Sequence, residues 1–176
     1  MSSDLTRRLS LKLRAIPDYP KPGIMFQDIT PILQDAGLFQ EVIDAMAEPF
    51  RTDGVTHVVG IEARGFILGG AIAEKLGAGF IPVRKPGKLP WETVEQSYEL
   101  EYGADSLEAH VDAFPEGARA LIVDDVIATG GTALATKDLA AGLGASVAGW
   151  AFLLAIAGLD GSKRLNGAPV HTLVSA

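Results

Sequence analysis

The segment ALIVDDVIATGGTALAT, residues 120–136, constrains the fold more than any other part of this chain. Leu121, Ile122 and Val123 form an aliphatic run without alternation, which suits a strand buried on both faces. Residues 132–143 then carry Ala135, Leu139 and Leu143 four apart on one helical face. Gly144 is placed to end that helix in a left-handed cap. The stretch 126–131 therefore joins the carboxyl end of a strand to the amino end of a helix. A chain built on this unit is committed to parallel strands with helical crossovers, and in open sheets of that kind ligands bind in the crevice at that end of the strands.

The chemistry of the loop narrows the ligand. Gly130 and Gly131 let the backbone approach a bound group closely, and Thr129 and Thr132 add hydroxyl donors. Unpaired N–H groups at a helix start favour an anion. The loop has no lysine, so it lacks the G-x-x-x-x-G-K-[ST] pattern, and it lacks G-x-G-x-x-G as well. A single phosphate fits better than a nucleoside triphosphate or a dinucleotide. Asp124 and Asp125 would repel that phosphate on contact. They are suited to accept hydrogen bonds from sugar hydroxyls, or to face positive charge that develops in a transition state. Phosphate, diol and cation together describe a ribose 5-phosphate reacting at C1.

The rest of the chain extends the same pattern. Residues 57–61 read as a strand, 66–76 as a helix ended by Gly77, and 80–83 as a strand, a first strand–helix–strand unit. Residues 119–155 form a second. Leu5, Leu9, Leu13 and Ile16 place a helix before Pro17, and Phe39, Val42, Ile43, Met46 and Phe50 place another over 38–50. Between the two units, 98–102 and 107–111 read as a hairpin joined near Gly103, Ala104 and Asp105. The expected architecture is α/β: one domain over residues 1–176, a mostly parallel sheet flanked by helices, and a flexible hairpin lid over 84–111.

Composition bounds the function. The 176 residues carry a net charge of −7, which opposes nonspecific binding to nucleic acid or to an anionic membrane. There is no cysteine, hence no disulfide, thiolate catalysis or thiolate-bound zinc. The amino-terminal stretch interleaves Arg and Lys and reads as no signal peptide. The longest apolar run, 147–159, is shorter than the roughly 20 residues of a membrane helix. A cytoplasmic protein is expected. His57, His110 and His171 are scattered without metal-ligand spacing, and Trp91 and Trp150 read as packing residues.

A second anion site is legible beside the first. Arg64 follows the strand end in VVGIEARGFILGG, at a helix start where its donors join backbone N–H groups. Arg84, Lys85 and Lys88 place three cations within five residues of an acidic chain. They suit a diphosphate that must be gripped as its charge grows on departure.

With these residues in view, VDDVIATGGT, EARGF, RKPGKLP, YELEYG and IPDYPKPGIMFQDITPIL together resemble the adenine phosphoribosyltransferases, a branch of the type I phosphoribosyltransferases. The first motif marks type I enzymes in general; the proline-rich segment and LEYG point to adenine. The resemblance implies transfer of the 5-phosphoribosyl group of 5-phosphoribosyl-1-pyrophosphate (PRPP) to adenine N9, giving AMP and pyrophosphate, with Mg²⁺ carried mainly by the substrate. It assigns the 5′-phosphate to Ala128, Thr129, Gly130, Gly131 and Thr132, and the ribose hydroxyls to Asp124 and Asp125. Ala63, Arg64 and Lys88 go to the pyrophosphate, and the peptide before Ala63 matches a position that is often cis. Arg84 would reach the partner's site in a homodimer. Met25 would offer backbone groups to adenine and Phe26 would stack on it. Glu101 matches the glutamate near the purine imidazole edge, where a carboxylate can accept a proton or orient a tautomer, and Tyr102 would pack over the site. At Gln27 the family usually has Arg or Lys; glutamine keeps a donor and an acceptor but not the charge.

Three other readings stay open on sequence alone. A hypoxanthine, guanine or xanthine enzyme would share the phosphate loop but not the proline-rich segment. A regulatory protein sensing PRPP and binding nucleic acid would need a basic face. A non-catalytic nucleotide-binding module would have no use for both the basic loop and Glu101.

Overall fold

The computed structural model describes residues 3–100 and 103–176. Its elements are α1 (Ser3–Lys12), β1 (Arg14–Ile16), β2 (Phe26–Asp28), α2 (Thr30–Leu33), α3 (Ala36–Ala47) with a 3₁₀ turn (Glu48–Phe50), β3 (His57–Ile61), α4 (Arg64–Leu76), β4 (Gly79–Val83), β5 (Thr93–Leu100), β6 (Gly103–His110), β7 (Arg119–Ile127), α5 (Gly131–Gly142), β8 (Ser146–Ala155), α6 (Gly161–Arg164) and β9 (Val170–Ser175). The central sheet has five strands in the order β4-β3-β7-β8-β9, all paired in parallel. From β3 the chain moves outward to β4; it then returns to the other side of β3 and proceeds through β7, β8 and β9. The reversal makes the gap between the carboxyl ends of β3 and β7 the topological switch point, where such sheets hold ligands.

Alternation along the inner strands feeds two cores. Val58, Leu121, Val123, Ala151 and Leu153 face one, with Leu5 and Leu9 of α1, Val42 and Met46 of α3, and Leu68 and Ile72 of α4. Val59, Ile122, Trp150 and Phe152 face the other, with Ala135 and Leu139 of α5 and Leu107 and Ala109 of β6. Each fully buried aliphatic side chain stabilises by about 1.5–3 kcal/mol, so a central strand that serves both faces has almost no polar position, as its sequence shows. The base of the hairpin is thus part of the second core rather than a free flap.

Several expectations shift in detail. The amino-terminal helix ends at Lys12, and residues 14–16 pair antiparallel with 26–28. The residue before a proline disfavours the helical region, and the pairing with β2 satisfies the backbone there. The hairpin ladder runs to the pair Leu100↔Gly103, so Gly103, Ala104 and Asp105 belong to β6 rather than to the turn. Strand β7 continues two residues past the aspartates, to Ile127. Trp91 is 60% exposed and packs in no core, whereas Trp150 is buried. No helix among the described residues is long and apolar enough to cross a membrane.

Candidate functional site

Two helices begin at the switch point, and neither has a side-chain cap. At α4 the cap position is Ala63, and at α5 it is Gly130, left-handed at φ 82°. By contrast α3, away from the switch point, is capped by the Asp35 carboxylate, which accepts from the Leu38 N–H at 3.2 Å. Both helix starts at the site therefore present N–H groups and the positive end of the helix dipole to whatever binds there. A hollow of about 100 Å³ is lined by Ile61, Asp124, Phe152 and the turn that includes Ala128, Thr129, Gly130, Gly131 and Thr132.

Glycine brings the two loops together. A Cβ on Gly65, in the first turn of α4, would lie 2.9 Å from both the Asp124 Oδ1 and the Val123 carbonyl. Only glycine lets α4 rest directly on the end of β7. Behind the α5 loop, Gly161 of α6 makes an equally close contact: a Cβ there would fall on the Ala128 carbonyl and within 2.8 Å of the Gly130 N. Arg164 Nη1 donates to the Thr129 carbonyl at 2.8 Å from the same side. The turn is therefore supported by a short helix 30 residues further along the chain, and sequence patterning offers no signal for that support.

The charged groups meet as two sets. Arg64 is ion-paired with Asp125, whose side chain is 6% exposed, and its guanidinium stands 5.2 Å from the Phe26 ring centre. The Asp125 N–H donates to Asp124 Oδ1 at 2.8 Å. Burial, and then the charge of Asp125, push the Asp124 carboxyl well above the usual aspartate range. For Arg64, burial acts downward, but the Asp125 pairing outweighs it and the pKa is raised.

The second set gathers around Glu62. Its carboxylate is paired with Lys88 and with Arg84 Nε at 2.9 Å, and it accepts the Lys85 N–H at 3.2 Å. Burial works against its charge, but the hydrogen bonds from Lys88, the Lys85 N–H and Arg84 leave it below the ordinary glutamate value. Arg84 Nη1 also donates to the Lys88 carbonyl at 2.9 Å. Lys85 Nζ is paired with Asp105 and donates to the Tyr98 hydroxyl at 3.2 Å, and that hydroxyl accepts from Thr132 at 3.4 Å. The peptide between Glu62 and Ala63 is cis.

The structure thus brings together Arg64, Asp124, Asp125, the 128–132 turn and Phe26, places Arg84 and Lys88 on Glu62 next to Ala63, and holds the Lys85 ammonium on Asp105. Met25 is 54% exposed and precedes β2, on which Phe26 and Gln27 lie half-buried. Glu101 and Tyr102 lie outside the described residues. Sequence patterning missed Glu62, Tyr98, Asp105 and Arg164. Glu62 stood in plain view in EARGF, but its partners come from a segment more than 20 residues away. Among the described residues no group of three or more His, Asp or Glu side chains is placed to hold a metal ion.

Comparison with known proteins agrees with this geometry. Residues 28–166 match the phosphoribosyl transferase domain family. The chain is 55% identical over 171 residues to an adenine phosphoribosyltransferase of Myxococcus xanthus, covering 97% of this chain and 93% of that one. The crystal structure of the adenine phosphoribosyltransferase of Rhodothermus marinus superposes with a TM-score of 0.95 at 52% identity, covering 99% of this chain and 100% of that one. The Saccharomyces cerevisiae enzyme, complexed with an imino-altritol bisphosphate and adenine, superposes with a TM-score of 0.90 at 43% identity, over 98% and 99% of the two chains. With its parallel five-stranded sheet, its uncapped α5 turn and the paired aspartates at the switch point, this chain belongs to the phosphoribosyltransferases and, among them, to the adenine phosphoribosyltransferases.

Proposed function

We propose that this pentosyltransferase joins adenine N9 to C1 of PRPP with inversion, releasing pyrophosphate and forming AMP for purine salvage. The observation that carries the reading is the pair of uncapped helix starts flanking Asp124 and Asp125. Two anion sites on either side of a diol-binding carboxylate pair match the two phosphate ends of PRPP and the ribose between them.

Each side chain then has a role. The 128–132 turn holds the 5′-phosphate with backbone N–H groups and the Thr129 and Thr132 hydroxyls. Asp125 exchanges Arg64 for a ribose hydroxyl, and Asp124 faces the same diol. Arg64, released from Asp125, joins the Ala63 backbone, Lys85 and Lys88 on the pyrophosphate. These cations are already oriented by carboxylates, so they need little reorganisation as charge grows on the leaving group. The C1–O bond breaks toward them, the N9–C1 bond forms, and adenine's N9 proton is lost; Glu101 is assigned that proton or the tautomer that precedes its loss. Phe26 stacks on the base, Met25 supplies backbone groups, Gln27 lies beside the pocket and Tyr102 covers it.

Mg²⁺ fits as a companion of the substrate. The chain offers the carboxylates Asp124 and Asp125, and a cation that keeps few protein ligands and several substrate oxygens is the usual magnesium pattern. Bound to PRPP it would offset charge on the departing pyrophosphate. A homodimer in the cytoplasm completes the proposal, with Arg84 leaving Glu62 of its own chain to reach the neighbouring site.

The test is AMP formation by Asp125→Asn. A fall in kcat of about 100-fold or more, close to 3 kcal/mol in the barrier, with a melting temperature within a few degrees of the parent is expected. Activity within about threefold of the parent would refute the ribose role.

A further inference from the structure

Among the described residues, Glu108 is the charged residue that the proposed mechanism leaves unused and that the fold nonetheless buries. It lies on β6 between Leu107 and Ala109, all three within the core, and is 5% exposed. Its carboxylate is fully engaged. Oε1 accepts the N–H groups of Lys88 and Leu89, each at 3.2 Å, and Oε2 accepts the Thr93 hydroxyl at 3.1 Å. Its own backbone exchanges two hydrogen bonds with Arg84, at 3.0 and 2.8 Å. One residue therefore holds both ends of the segment 84–93, and within it the amide of Lys88. A buried carboxylate is costly unless it is satisfied. Here its partners are mainly backbone N–H groups of a surface loop with no regular secondary structure to satisfy them.

The geometry has a directional consequence. The Lys88 ammonium extends to Glu62, beside Ala63 and Arg64, so the place where Lys88 leaves the loop sets where its charge arrives. Arg84 Nη1 holds the Lys88 carbonyl from the other side. Lys88 is thus clamped at both its backbone N–H and its C=O, and Glu108 supplies the clamp on the N–H.

We propose that Glu108 is a positioning residue for the pyrophosphate end of the site: it acts through the 84–93 backbone to aim Lys88, and touches no substrate itself. The inference rests on the pyrophosphate role proposed above for Lys88. A truncated Glu108 loses the clamp while the 5′-phosphate turn, held by α6, and the β1–β2 base pocket keep theirs.

The experiment is steady-state kinetics in the AMP-plus-pyrophosphate direction on the parent, Glu108→Ala and Glu108→Gln. Glu108→Ala is expected to raise the KM for pyrophosphate at least tenfold and leave the KM for AMP within twofold. Glutamine can turn its carbonyl to the two N–H groups and its amide to the Thr93 oxygen, so Glu108→Gln is expected to recover most of the pyrophosphate KM. Equal rises in both constants would mark a merely structural residue and overturn the proposal, as would an unchanged pyrophosphate KM. Should Glu108→Ala not fold, Thr93→Val removes only the hydroxyl donor. It is expected to raise the pyrophosphate KM two- to fivefold, and no rise there overturns the proposal. Absence of turnover in the parent would instead refute the underlying reading.

Discussion

Asp124 and Asp125 are chain neighbours in opposite situations. Asp125 has the Arg64 guanidinium as its counter-charge; Asp124 is packed behind Gly65, and burial raises its pKa well above the ordinary value. A carboxyl titrating higher in the folded state contributes stability that is fully present below its unfolded value and is lost as pH rises through the folded one. At neutral pH its ionised form is therefore a burden on the fold. Asp124→Asn keeps the oxygen that accepts the Asp125 N–H and removes the charge. It is expected to melt higher than the parent at pH 7, with the difference shrinking as pH falls toward about 4, the ordinary aspartate range, while activity drops at least tenfold. A melting temperature below the parent's at pH 7 would contradict the account. At this scale the sequence spelled out the aspartates, the glycines and Arg64, because each sits in a local strand–turn–helix pattern, and Arg84, Lys85 and Lys88, because they cluster within five residues of an acidic chain. It did not reveal Glu62 or Glu108 as organisers of the loop, because their partners are set by tertiary contact. Glu101 and Tyr102 are outside the described residues, and their roles rest on resemblance.

Elements were legible where periodicity is strong. The strands His57–Ile61 and Arg119–Ile127 and the helices that follow them were recognisable from apolar runs, glycine stops and spacing. Residues 14–16 and 103–105 were misread for one shared reason. Both join an antiparallel ladder whose register is fixed by partners elsewhere, and that pairing overrides local composition. The least legible element is α6, only four residues long, yet it holds the 128–132 turn from behind. Alanine is normally favoured over glycine in a helix, so Gly161→Ala isolates the contact with that turn. The new methyl meets backbone of 128–130. We expect a destabilisation of about 1–3 kcal/mol, and a rise in the KM for PRPP of tenfold or more with the KM for adenine nearly unchanged. Parent-like PRPP kinetics would show that the turn is not supported there.

At the scale of the whole molecule, the switch point decides where chemistry can occur. The order β4-β3-β7-β8-β9 puts Glu62, Ala63 and Arg64 at the end of one strand, and Asp124, Asp125 and the 128–132 turn at the end of its neighbour. The cations at these strand ends are met by carboxylates of the same chain: Arg64 by Asp125, Lys85 by Asp105, and both Arg84 and Lys88 by Glu62. The proposed dimer adds a testable requirement. If Arg84 serves the neighbouring site, Arg84→Ala and Lys88→Ala each lose activity, and mixing them under conditions of subunit exchange restores part of it. No restoration despite demonstrated exchange would place Arg84 in its own chain's site.

The central claim is the identity of the reaction, and one measurement reaches it most directly: pyrophosphate release from PRPP and Mg²⁺ with adenine, hypoxanthine, guanine and xanthine in parallel. The account predicts turnover with adenine, on the order of 1–1000 s⁻¹ as is typical of enzymes, and at least a hundredfold less with the other three bases. Preference for an oxopurine would leave the two anion sites standing and overturn the base assignment. Silence with all four bases, on folded protein, would contradict the account as a whole.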